Sequence, residues 1–245
     1  MNSFLTLFSR LSVIYFTTLD TGYILDGKLP KSMSPSHQVA KFFQSFPAQK
    51  FSRGQTVIAA GITPDSLYYI SSGLVRQYAL SPAGEILLLY LHRPGSVFPI
   101  TCALCGCPND YYYDCFTDCV IAKAPVSEAS GFFRSHPEVS FHLNSRLAAA
   151  LQSLNSRLEM QTFGSAYTRT ASFLHFLAKS LGRPLDNKII IEPRFTHREI
   201  SSWIGVTRET ASVQMALLQK NGVIGYRRHR IVITDPGLLF SLSHF

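Results

Sequence analysis

The chain reads as an α+β protein in three parts: an amino-terminal double-sheet β-roll of the jelly-roll or cupin type, a long helix, and a carboxy-terminal winged helix-turn-helix. Three observations predict this. Between about Phe51 and Pro125, short β-rich runs alternate with Gly, Pro and Ser clusters at the spacing of a roll or barrel. From 137 to 161, leucines recur at helical spacing and no residue breaks the run. From 196 to 222, a capping signal, a short apolar face and a glycine are followed by a second cap and a second apolar face.

The first 33 residues fit none of these parts. Phe4 to Leu19 is apolar-rich, but Ser9, Arg10 and several hydroxyl residues interrupt it, so it is too short and too polar for a membrane span. Its start carries little positive charge and no clear small-residue cleavage site follows, so a secretion signal fits poorly. Two readings stay open: a real extension, poorly ordered or amphipathic, or a start assigned too early, with Met33 as the true beginning. The expected divisions are then 34–136 for the roll, 137–161 for the long helix and 162–245 for the last domain.

In the roll, Thr56-Val57-Ile58 is followed by Gly61 and Pro64, and Leu67 to Ile70 by Ser71-Ser72-Gly73. Leu74 to Leu80 runs into Pro82-Ala83-Gly84, and Ile86 to Leu91 into Arg93-Pro94-Gly95. All five cysteines follow within a short stretch, Cys102, Cys105, Cys107, Cys115 and Cys119. Three readings are open for them. They are small buried hydrophobes, or thiolate ligands to zinc or an iron–sulfur cluster, or redox-active thiols. Their spacing matches no standard ferredoxin or zinc ribbon. Tyr111, Tyr112 and Tyr113 either pack the roll or line a site for an aromatic or apolar effector.

The long helix carries Leu143, Leu147, Leu151, Leu154 and Leu158 at steps of 4, 4, 3 and 4. Such a near-heptad stripe lets two copies pack along one seam, or lets one helix lie on its own domain. A second helix, about Tyr167 to Leu181, closes at Gly182-Arg183-Pro184.

The next segment is the most specific. Thr196 and Glu199 form a Thr-x-x-Glu capping box, Ile200, Trp203 and Ile204 make one apolar face, and Gly205 supplies a tight turn. Thr207 caps a second helix with Ala211, Met215 and Leu218 on its inner face, ending at Asn221-Gly222. Arg208 and Glu209 then sit in the first turn, where a recognition helix aims side chains at base edges. Thr196, His197, Thr207, Ser212 and Val213 complete the expected DNA-facing set. After Gly222, two short strands flank Arg227-Arg228-His229-Arg230. This is a wing whose basic residues Arg227, Arg228 and Arg230 suit phosphate contact.

Gly205-Val206-Thr207-Arg208-Glu209-Thr210-Ala211-Ser212-Val213 resembles the helix-turn-helix of the CRP/FNR family of bacterial transcription regulators. That motif commonly reads Gly-x-(Ser/Thr)-Arg-Glu-Thr-Val-Ser-Arg. Val213 departs from it where the family usually has a DNA-contacting arginine. Upstream, Tyr-Ile-x-x-Gly-x-Val-Arg at 69–76, Gly84-Glu85 and Pro94-Gly95-x-x-Phe98 resemble the family's cyclic-nucleotide-binding-like roll. The resemblance implies a homodimer about the long helix, a double-stranded DNA target and contact with RNA polymerase. The family's cyclic-nucleotide binders hold the phosphate with an Arg-Ser pair after a Gly-Glu turn. Here no arginine occurs between Arg93 and Arg134, and Asp110 and Asp114 lie in that stretch. Usual cyclic AMP binding is therefore not expected.

Charge supports this reading. The net charge is +8, with 46% hydrophobic and 16% charged residues, a composition that excludes disorder. Residues 34–135 carry 7 Lys/Arg against 6 Asp/Glu, whereas residues 136–245 carry 13 against 7. The basic excess lies in the half with the helix-turn-helix, as phosphate binding requires. The expectation is a cytoplasmic, non-enzymatic, dimeric DNA-binding regulator with no membrane segment, under an effector or the redox or metal state of its cysteines. The rival is a metal-dependent or redox enzyme on a cupin-like roll, using the cysteines and His92. It lacks the paired histidines and carboxylate of a cupin metal site.

Overall fold

The computed structural model describes residues 34–243, and the amino-terminal 33 residues, with their open readings, lie outside them. Helix α1, Pro35–Gln44, starts where the Ser34 side chain accepts from the His37 amide (3.3 Å) and Pro35 supplies the first-turn φ. It buries Val39 and Phe43. Eight strands follow: β1 Ala48–Phe51, β2 Thr56–Ile58, β3 Ser66–Ser72, β4 Val75–Leu80, β5 Ile86–His92, β6 Val97–Phe98, β7 Tyr112–Cys115 and β8 Cys119–Pro125. Helix α2, Ile100–Cys105, interrupts them after β6.

These strands form two antiparallel four-stranded sheets, in the orders β1-β8-β3-β6 and β2-β7-β4-β5. Alternate residues point inward. Ile58, Ile70, Val75, Phe98, Tyr113, Cys115, Cys119 and Ile121 form one apolar cluster. A second cluster lies where α1, α2, helix α3 (Val126–Ser135) and the start of helix α4 (Pro137–Phe163) cover β3 and β8. Phe42 stacks on Phe132 there at 4.4 Å and Phe43 on Tyr69 at 5.2 Å.

Helix α4 changes neighbours along its length. Val139 and Leu143 are buried in the second cluster, while Leu151, Leu154 and Leu158 are 60%, 55% and 66% exposed. Leu143 thus packs within its own domain, which corrects its place in the expected dimer seam. Leu147 lies at the border, 37% exposed.

Helix α5, Ala166–Leu181, is capped by Ser165 and buries Thr170, Ala171, Phe173, Leu174, Leu177 and Ala178. Beyond it the structure departs from expectation. The Gly182-Arg183-Pro184 stop is also strand β9, Gly182–Leu185, paired with β10, Lys188–Ile191. Gly and Pro argue against strand, but β9 is the outer strand of a sheet ordered β11-β12-β10-β9, with β11 spanning Ile224–Arg227 and β12 Arg230–Ile233. At a sheet edge Pro184 costs no ladder bond. Helices α6 (His197–Ile204) and α7 (Arg208–Lys220) precede that wing, and α8 (Pro236–Leu242) follows it. The core of this last domain extends to the roll through Leu74, Leu91 and Phe116. Phe116 stacks on Phe195 at 5.0 Å.

Candidate DNA-binding interface

Each helix of the 196–220 pair begins where the local chemistry places it. Thr196 Oγ1 accepts from the Glu199 amide (3.2 Å), and the Glu199 carboxylate accepts from the Thr196 amide (2.7 Å), a closed capping box. Gly205 takes φ +66 after α6, a left-handed conformation that costs glycine little. Thr207 Oγ1 accepts from the Thr210 amide (3.2 Å) and starts α7. Ile200, Ile204, Ala211, Met215 and Leu218 are fully buried, so the pair is locked by its inner faces.

The end of α6 is held by two arginines from other helices. Arg157 of α4 donates to the Trp203 carbonyl (2.8 Å), and Arg169 of α5 donates to the Ile204 carbonyl (3.2 Å). These are orphan acceptors at the negative end of a helix, where cations are favoured. Arg157 also donates to the Leu88 and Leu89 carbonyls of β5 (2.7 and 3.1 Å), and its guanidinium lies 4.5 Å from the Trp203 ring centre. Burial pushes its pKa down to about 10. Arg53 of the roll reaches Glu199 at 3.5 Å. None of these tethers was foreseen, because each joins residues far apart in sequence.

The outer side of the pair is open. Arg208, Glu209 and Val213 are exposed, and Val213 is 56% accessible. Thr196, His197, Arg198 and Arg208 line a concavity of about 450 Å³ between the starts of the two helices. Two helix amino termini and two guanidinium groups there favour an anion. Arg198 was missed by sequence reasoning, although its place in the first turn of α6 was a signal. His197 Nδ1 lies 2.8 Å from Ser212 Oγ, which also donates to the Arg208 carbonyl (2.9 Å). Those two side chains therefore brace the reading surface from within.

At the wing tip, Arg227 pairs with Arg230 across a two-residue turn, and Arg228 and His229 both take positive φ, 50° and 62°. A turn with both central residues left-handed suits the strand twist but normally calls for Asn and Gly. Two side chains held there against preference project outward, and Arg227, Arg228 and His229 are all exposed. Arg230 instead forms an ion pair with Glu192 (3.4 Å), so of the expected wing contacts it is the one already partnered.

In the roll, the expected sites separate. Tyr113 is buried against Phe98 (5.3 Å), while Tyr112 turns to the other face of β7 and stacks on Tyr78 (5.5 Å). Strand alternation thus splits the Tyr111, Tyr112, Tyr113 run, and the three do not line one site. Asp114, beside Tyr112, receives both forks of Arg76 (2.5 and 2.8 Å). The hydrogen bonds that Arg76 donates to Asp114 raise the Arg76 pKa. Nor do the five cysteines assemble into one metal-binding group. Among the described residues, no three His, Cys, Asp or Glu side chains converge on a point that could hold a metal. Cys115 and Cys119 are core residues, whereas Cys102, Cys105 and Cys107 lie on and after α2. Burial pushes Cys115 up to about 12, and the Cys119 thiol also rises with burial. Glycine at residue 73 lets the Asp118–Cys119 backbone and the Cys119 sulfur approach closely, since a Cβ there would meet the Asp118 carbonyl oxygen first and then that sulfur at 2.6 Å. His92 packs among Tyr90, Phe98 and Tyr113 with Gln77 on its ring nitrogen (3.3 Å). It faces no carboxylate set, so the site that the rival enzyme needs is not built.

A double-sheet roll joined by a long helix to a winged helix-turn-helix with an open basic surface defines a DNA-binding transcription regulator. Comparison with known proteins agrees. The family described as "Crp-like helix-turn-helix domain" matches residues 168–242, and "Cyclic nucleotide-binding domain" matches residues 48–136. The chain belongs to the CRP/FNR family of regulators and is not an enzyme. It is 25% identical to the global nitrogen regulator of Synechocystis over 77% of this chain and 84% of that one. It is 27% identical to the transcriptional regulator SdrP of Thermus thermophilus, over 76% of this chain and 88% of that one. A solved CRP/FNR-family regulator from Thermus thermophilus superposes with TM-score 0.65 at 25% identity, covering 80% of this chain and 98% of that one. A CooA mutant from Carboxydothermus hydrogenoformans, 20% identical, shares the fold with TM-score 0.70 over 83% of this chain and 90% of that one. Among the described residues, no helix is long and apolar enough to cross a membrane.

Proposed function

We propose that the chain works in the cytoplasm as a homodimer that reads a two-fold-symmetric DNA site. In this reading it reaches RNA polymerase as other family members do, and its roll answers a signal other than a cyclic nucleotide. The carrying observation is the exposed stripe of Leu147, Leu151, Leu154 and Leu158 on α4. Four leucines facing water on one side of a helix suit a second copy of that helix. A dimer suits two recognition helices in successive major grooves, with half-sites about 10 base pairs apart. Arg208 presents a fork suited to guanine, Glu209 accepts from a cytosine amino group, and Val213 offers methyls to thymine. Against a cyclic phosphate stands the stretch where its clamp would lie, because Asp114 is paired with Arg76 and Tyr113 is core.

Selection from random duplexes tests the reading. The expected product is an inverted repeat with a G·C pair in each half-site, bound by a species twice the chain's mass in sedimentation. Leu151→Glu should give monomers with weak affinity for the repeat. Enrichment of no inverted repeat would sink the dimeric reading, and micromolar binding of cyclic AMP or cyclic GMP by calorimetry would sink the effector part.

A further inference from the structure

We propose that Cys102 and Cys107 are a reversible dithiol that closes to an intrachain disulfide when a hydroperoxide oxidises it. This goes beyond DNA reading and depends on neither dimerisation nor the operator.

The geometry comes from how α2 ends. Gly106 takes the left-handed conformation (φ 64°, ψ 25°), its amide donates to the Cys102 carbonyl, and the Cys107 amide donates to the same carbonyl at 3.2 Å. Helix ends closed by a glycine with a six-to-one bond bring the side chain just past the glycine onto the one three positions before the helix end. Those two positions are Cys107 and Cys102. The Cys107 sulfur lies 4.0 Å from the Cys102 carbonyl oxygen, so it has folded back over the last turn.

The segment is also anchored beyond the pair. Asn109, two residues on, is fully buried and donates to the carbonyls of Tyr111 (2.5 Å) and Ala59 (3.3 Å). Its backbone exchanges bonds with Ile62 (3.0 Å) and Gly61 (2.7 Å). On the helix side, Ile100 and Ala103 are buried in the cluster under α1. Both sulfurs thus hang from fixed backbone, which removes most of the ordering cost of a bridge.

Exposure divides the roles. Cys107 is exposed and Cys102 only partly so. The peroxide meets Cys107 first: sulfur attacks the O–O bond, one oxygen becomes the Cys107 sulfenic hydroxyl, and the other leaves as water or alcohol. The Cys102 sulfur then displaces that hydroxyl, which departs as water with the Cys102 proton. Two electrons pass from the thiols to the peroxide, and a reducing dithiol returns them. Burial raises the Cys102 thiol pKa, which suits the resolving partner rather than the first target.

The test uses the full chain, hydrogen peroxide and thiol titration in denaturant. Two thiols per chain should disappear and return with dithiothreitol. Leu104 lies between the pair, so chymotryptic cleavage there should leave two fragments joined through Cys102 and Cys107. Cys105→Ser should keep the bridge, and Cys102→Ser and Cys107→Ser should each abolish it with far-ultraviolet dichroism unchanged. A bridge from Cys102 to Cys105, a crosslink between chains, or five free thiols after treatment that oxidises free cysteine would each overturn the proposal.

Discussion

The roll and the DNA-reading domain use their charged side chains in opposite ways. In the roll, Arg76 is clasped by Asp114, Lys123 pairs with Asp65 at 3.4 Å, and the Gly95 carbonyl accepts from Arg146 of α4 at 2.8 Å. In the reading domain, Arg198, Arg208, Arg227 and Arg228 make no ion pair or side-chain hydrogen bond among the described residues, and all four are exposed. Charge that is closed on itself holds a shape. Charge left open with a rigid helix or turn beneath it is available to phosphate and base edges, without first breaking a bond to the protein.

The sharpest way to break the contrast is to open a charge in the roll. Asp114→Ala strands Arg76 half-buried and should cost about 3 kcal/mol of stability in urea unfolding. The double change Arg76→Met with Asp114→Leu should recover most of that, because two apolar groups need no partner. A single variant as stable as the parent would mean that the pair is not a closed unit. The converse experiment removes an open charge. Arg208→Ala should leave unfolding unchanged and weaken binding to the selected site by about 1–3 kcal/mol, relaxing preference at one base pair. Equal weakening on every duplex would place Arg208 on phosphate instead.

Acid offers a graded test within the roll. Burial, and then the Arg146 cation, lowers the His92 pKa from 6.5 to about 3. The unfolded chain therefore takes up a proton near 6.5 that the folded chain refuses until about 3. Stability tied to this ring is complete above pH 6.5 and is lost as pH falls through that window, by roughly 1 kcal/mol per pH unit. His92→Gln should flatten the acid limb of a stability–pH curve, and an unaltered limb would count against an imidazole that stays neutral in the fold. The smallest effect belongs to the wing. Arg228→Ala should weaken all duplexes alike and reduce the slope of log affinity against log salt by about 0.9. A change at one base position only would overturn its assignment to the backbone.

What could be read from the sequence was what neighbours in sequence decide. The Thr196–Glu199 box, the Gly205 turn and the Thr207 cap each close within a few residues, and the structure has all three. The strands of the roll were legible for the same reason, since Gly61, Gly73, Gly84 and Gly95 mark bends between β-branched and aromatic runs. Distant partners decide the rest. Nothing near Leu143 distinguishes it from Leu151, yet one meets α1 and the other water. Strand β9 looked like a helix stop because only its place at a sheet edge excuses Pro184. The tyrosine run looked like one patch until the pleat of β7 sent alternate rings to opposite faces.

The grip of Arg157 has a mechanical corollary. One planar group fastens three bodies: the shaft of α4, the β5 edge of the roll and the tail of α6. A helix turns by about 100° per residue, so even a modest twist of that shaft swings the guanidinium off at least one of its carbonyl seats. Small axial rotations therefore reach the reading helices as torque, whereas sliding of the reading domain along the roll is resisted by the same pin. The joint behaves as a universal coupling in which Arg157 is the central bolt, with Arg53 on Glu199 and Phe116 on Phe195 as lighter stays beside it.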